Sequence, residues 1–154
     1  MTRARLSIVN HTAQRVEIDH ARLQAVLDAA LAEDGIAAAE LALLLVDDAE
    51  SARLHAQHFD DAEPTDVMTF PDGSINPETS LTRLGDLAIC VDVAHREGLA
   101  RGRSTGDEII LYALHGVLHL QGYDDEAEAD LAEMWATQRR LLATVGIAIE
   151  AEPS

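Results

Sequence analysis

The chain has 154 residues, 47% of them hydrophobic, enough to bury one core, so residues 1–154 are expected to form a single domain. A formal net charge of −17, with all 11 basic residues arginine, argues against nonspecific nucleic-acid binding, because polyanion affinity rests on cations displacing counterions. No apolar run is long enough to cross a bilayer and no signal-like segment opens the chain, so the expected location is cytoplasmic, with no membrane partner.

Arg5 to Asn10 reads as a strand, and Ile18, Leu23, Val26, Leu27 and Leu31 recur at helical spacing, predicting a helix that ends near Gly35. Leu41 to Val46 is a second strand. Asp48 is placed to cap a helix through Ala52, Leu54 and Ala56, which Asp60-Asp61-Ala62-Glu63-Pro64 would break. Val67 to Phe70 is the third strand. The turn-rich stretch Pro71 to Glu78 is expected to be a flexible loop, a candidate substrate lid. Leu87 to Val91 is the fourth strand and would bury Cys90, the single cysteine, as an inert thiol. A helix over Val93 to Ala100 follows, and Ser104 with Asp107 three residues on gives a capping-box-like start to the next helix. A final amphipathic helix runs from about Glu126 to Leu142, with Leu131, Met134, Trp135, Leu141 and Leu142 inward. This order predicts an α+β fold: a small mixed sheet of about four strands with packed helices, and a central, buried helix beginning at Ser104.

That central helix carries the chemistry. His115 and His119 are four residues apart, so they share one face and can aim nitrogens at a common point. Gly122 suits the left-handed residue that ends a helix, and Asp125 would then return beside the imidazoles with a carboxylate oxygen. Two isolated histidines are commonly core residues, but the turn glycine, the carboxylate within reach and the apolar Ile109 to Leu114 favour a metal site. The set His115, His119 and Asp125 is expected to hold one divalent ion, Zn²⁺ first among candidates, with an open position for substrate. Gly116 follows His115 where metalloproteases of the H-E-x-x-H type carry a glutamate base, which argues against peptide hydrolysis.

Other polar residues are weaker candidates. No catalytic base is assigned; Asp124, next to Asp125, is the preferred proton acceptor, with anchoring the post-helix turn or orienting a His ring as its equal alternatives. Glu108 falls on roughly the same face as His115 and could support a ligand. Asp66 and Asp86 are expected to be structural, His55, His58 and His95 surface or packing residues, and Trp135 core, while Tyr123 would point its hydroxyl to the site rim. Arg96, Arg101 and Arg103 cluster just before the central helix, as either a solvated helix end or an RNA-backbone contact.

The segment His115 to Asp124, H-G-V-L-H-L-Q-G-Y-D, resembles the signature of the YbeY family of bacterial rRNA-maturation endoribonucleases, H-G-x-L-H-L-x-G-Y-D-H. Pro64 to Pro71 looks like the family's P-T-D-V-L-S-F-P strand, Gly85 to Ile89 like its G-D-I-x-I strand, and Leu43 to Asp48 like the strand and acidic turn that precede them. The resemblance implies a metal-dependent endoribonuclease acting on single-stranded RNA in rRNA maturation and ribosome quality control, with the ribosome or its proteins as further partners. Two departures stand out. Asp125 replaces the family's third His, moving metal preference toward Mn²⁺ or another harder ion, and His58-Phe59 replaces a Tyr-Arg pair, with His55 where the family has Asn. The lost Arg is the natural phosphate partner near the metal. The alternatives are a non-catalytic ribosome-associated factor of the same fold, or a metal-dependent hydrolase of a non-RNA substrate.

Overall fold

The computed structural model describes residues 2–59 and 65–151. The elements run β1 (Ala4–Asn10), α1 (His20–Glu33), β2 (Ala39–Val46), α2 (Asp48–Phe59), β3 (Val67–Pro71), β4 (Arg83–Cys90), α3 (Val91–Arg101), α4 (Thr105–Leu120) and α5 (Glu128–Ala143). One sheet of order β1-β2-β4-β3 joins β1, β2 and β4 in parallel and adds β3 antiparallel to β4. This is the α+β architecture with a four-stranded mixed sheet that the alternating elements predict.

β2 shows why the sheet has a covered face: Leu41, Leu43 and Leu45 are buried while Glu40, Ala42 and Leu44 between them are partly exposed, the two-residue period of a strand. The buried row, with Leu87 and Ile89, belongs to one core with Leu23, Leu27, Ile109, Leu114 and Leu118 from α1 and α4. α4 is the central helix and packs against β3, β4, α1, α3 and α5. It starts as expected, with the Ser104 hydroxyl accepting the Asp107 amide at 3.1 Å.

Several local expectations shift. The cap of α2 is Asp47, not Asp48: its Oδ1 accepts the Glu50 amide at 2.8 Å, and Asp48 is already helical. The apolar run ending at Val91 is a strand only to Cys90, because α3 starts at Val91. Periodicity could not find this junction, since the buried apolar run of the strand, residues 87–90, continues without interruption into Val91, the first residue of α3. The segment expected to be a free lid is pinned: Asn76 Nδ2 donates to the Glu40 carboxylate at 3.0 and 3.1 Å, Thr79 Oγ1 donates to it at 3.1 Å, and Ile75 bridges to Thr82. The break read at 60–64 lies outside the described residues.

Candidate metal centre

α4 ends in a way that brings the third donor round. Gly122 adopts φ +101°, its amide bonds to the His119 carbonyl at 3.0 Å, and the Tyr123 amide bonds to the Leu118 carbonyl at 3.0 Å. This pair of bonds is a Schellman closure, which needs a residue free to enter the left-handed region. Asp124 Oδ1 then accepts the amides of Asp125 and Glu126 at 2.7 and 3.1 Å, fixing the turn that follows. The carboxylate of Asp125 arrives beside the histidines as a result.

The donor atoms converge. His115 Nε2 and His119 Nε2 lie 3.1 Å apart, and Asp125 Oδ2 is 3.4 Å from His119 Nε2 and 4.0 Å from His115 Nε2. Ligands at zinc bond lengths in a tetrahedral shell sit about 3.3 Å from one another, so the spacing suits one ion held by two nitrogens and an oxygen. Behind His115, Gln138 Oε1 faces Nδ1 at 2.9 Å, a contact satisfied when Nδ1 carries the proton and Nε2 keeps its lone pair for the cleft. Burial, then the neighbouring His119, lowers the His115 pKa and favours the neutral ring that a ligand requires.

Two cavities meet at His115. One, of about 260 Å³, is lined by His55, Phe59, Thr65, Asp66, Val67, Met68, Thr69, His115, His119 and Asp125. The other, of about 340 Å³, includes Asp66, Arg101, Arg103, Tyr112, His115, Trp135, Gln138 and Glu150. Asp66, expected to be structural, does accept the Val67 amide at 2.7 Å, and it also lines both cavities. Gln138 was not among the candidates. Its signal is a polar residue four positions after Met134 on the inward face of α5, where an apolar side chain would otherwise pack.

The remaining candidates sit elsewhere. Asp124 lines a separate depression with Asp34, Tyr123 and Glu133, so the turn anchor is the role its contacts show, and the Tyr123 ring lies there too. Glu108 is fully buried and pairs with Arg103 Nε at 2.5 Å, not with a histidine. Trp135 is partly exposed and donates its indole N–H to the Glu150 carbonyl at 2.8 Å. Asp86 lines a different depression, together with Arg5 and Arg83, and not the one that holds the histidines. Each arginine of the cluster is engaged by carboxylates: Arg96 with Asp48 at 2.6 Å, Arg101 with Glu97 at 2.6 Å, and Arg103 with Glu108 and Glu150.

Gly116 completes the packing. A Cβ there would come within 2.7 Å of Leu87 Cδ2, so the helix lies close on β4 and the position has no room for a glutamate base.

An α+β domain whose central helix offers two histidines to a carboxylate across an open cleft is the class that fold and site together define. The chain belongs to the YbeY family: residues 8–146 match the family model described as Endoribonuclease YbeY. It is 43% identical over 111 residues to the Endoribonuclease YbeY of Kineococcus radiotolerans, a match covering 68% of this chain and 63% of that protein's length. The protein of the same name from Acidothermus cellulolyticus is 42% identical over 113 residues, covering 68% of this chain and 69% of the relative. The solution structure of TM1509 from Thermotoga maritima superposes with a TM-score of 0.56 at 24% identity, over 91% of this chain and 88% of the other, and supports the fold. The family membership read from the motifs is borne out.

Proposed function

We propose that residues 1–154 act as one YbeY-like, metal-dependent endoribonuclease domain, a cytoplasmic enzyme that cuts single-stranded RNA during rRNA maturation and ribosome quality control. The reading has the ribosome as a partner and one divalent ion, foremost Zn²⁺, on His115, His119 and Asp125. The observation that carries it is the convergence of those three donors on one cleft in a chain of this family. When bound, such an ion supplies Lewis-acid activation of a phosphodiester and of its attacking group. The protein's own part is to hold the donors. Gln138 orients the His115 ring, the glycine-ended turn delivers Asp125, and Gly116 keeps α4 against the sheet. Among the described residues, no helix is long and apolar enough to cross a membrane.

The non-catalytic factor is the second reading, and one observation favours it: among the described residues, no arginine lines the cleft that holds all three donors. Elemental analysis of untagged protein, with cleavage of single-stranded RNA and of a generic peptide, separates the alternatives. Bound divalent metal and RNA cleavage abolished by chelator and by His115→Ala are expected. Nuclease activity that survives both would overturn the metal mechanism; bound metal without cleavage would favour the non-catalytic factor. Phe59→Arg then tests whether a phosphate partner alone is missing.

A further inference from the structure

We propose that Phe59 is a stacking platform for an unpaired nucleobase beside the metal cleft, so that this chain grips RNA by a base at that wall; the proposal rests on the RNA reading above. Phe59 is the last residue of α2 and is 50% exposed, although it is one of only two phenylalanines in the chain. Both meet here. Phe59 lies 6.3 Å from Phe70 of β3, 5.5 Å from His55 and 6.5 Å from His58, while His58 meets Phe70 edge-on at 5.0 Å. The ring is thus braced from two elements, with half its surface left open. It lines the same cavity as His115, His119 and Asp125.

Charge decides what such a wall can attract. Among the described residues the cavity's lining includes the carboxylates of Asp66 and Asp125 and no arginine, and the chain has no lysine, so the wall offers phosphate little direct neutralisation. A π face attracts every base, independently of salt and largely of sequence, and single-stranded RNA is the nucleic acid whose bases are free to splay out onto it. An exposed phenylalanine alone would mean little. Among the described residues, the three other large exposed hydrophobics, Val9, Ile75 and Leu99, are aliphatic, and none lines this cavity.

Binding of a short single-stranded 2′-O-methyl RNA, and of an abasic strand with the same backbone, tests the proposal by anisotropy on the metal-loaded protein. Phe59→Ala is expected to weaken binding of the base-bearing strand about 5- to 100-fold, leave the abasic strand unaffected, and raise KM for cleavable RNA more than it lowers kcat. Phe59→Tyr should retain affinity, whereas Phe59→Leu, which keeps apolar volume without a π face, should not. In Phe59→Trp the base-bearing strand should quench fluorescence beyond the wild-type background from Trp135. RNA bound equally well by wild type, Phe59→Ala and Phe59→Leu would overturn the stacking platform and leave the endoribonuclease reading standing. Wild-type protein that neither binds nor cuts RNA would overturn both.

Discussion

Arg103 and Glu108 show how far a residue's role depends on what closes over it. From sequence, Arg103 belongs to a basic cluster and Glu108 to the histidine face; in the fold they pair, with Glu108 fully buried and the Arg103 side chain 12% exposed. Burial of two charges makes the pair costly to break from one side. Arg103→Ala should destabilise the protein by about 3–5 kcal/mol in urea unfolding, because the carboxylate is left without its cation. Adding Glu108→Gln should recover much of that loss, and no recovery would show that the guanidinium acts mainly by packing. Cys90 gives a second test. Burial pushes its thiol up to about 11, so iodoacetamide at pH 8 should label it only as the protein unfolds; rapid labelling of native protein would contradict the buried thiol. At this scale the donors were legible in the sequence because helical spacing and a turn glycine act locally. Gln138 was not, because its partner lies 23 residues away and only the packing of α5 on α4 brings them together.

Among elements, the contacts of α2 and α3 with the sheet's end set the site's frame. Arg96 of α3 donates to both carboxylate oxygens of Asp48 on α2, at 2.6 and 3.0 Å, and Cys90 Sγ lies 3.5 Å from Asp48 Oδ1. The Arg96 hydrogen bond, opposed by desolvation, holds the Asp48 carboxyl below its ordinary value of 3.8. A depressed carboxylate stabilises the fold above the unfolded value, and that contribution is lost as pH falls below 3.8 through the folded value. Arg96→Ala should therefore lessen the acid-side fall in stability in a series of melts below pH 4, an effect kept small by solvent because both groups are partly exposed. An acid limb identical to wild type would remove this pair from the account. The helix–sheet contact at Gly116 is more demanding. Gly116→Ala should cost about 1–3 kcal/mol by forcing Leu87 aside, and should loosen metal retention if α4 shifts with it. Strand and helix types were legible from period and caps. The β4–α3 junction and the pinned 71–78 loop were not, since the apolar run of the first passes through the strand's end to Val91 and the second depends on Glu40, a residue of another strand.

For the molecule as a whole, the charge of −17 and the arginines' pairing with carboxylates bear on the same question of how a polyanion would approach. A field of this sign repels RNA beyond contact, and salt screens it over a Debye length of about 10 Å at 0.1 M. A protein that neutralises several phosphates loses affinity steeply as salt rises. Here Arg96 is paired with Asp48 and Arg101 with Glu97, while among the described residues no arginine lines the cleft bearing the three donors. Few counterions would be released, and screening of the acidic surface works in the opposite direction. The expected plot of log affinity against log salt for single-stranded RNA is therefore shallow, with a slope magnitude of about 2 or less. Arg96→Ala should leave that slope unchanged, since its guanidinium is already held away from the cleft. A steep slope that flattens in Arg101→Ala would instead mean that RNA displaces Glu97 and Glu150 from that guanidinium and occupies the second cavity at His115, where Arg101 and Arg103 already line the wall.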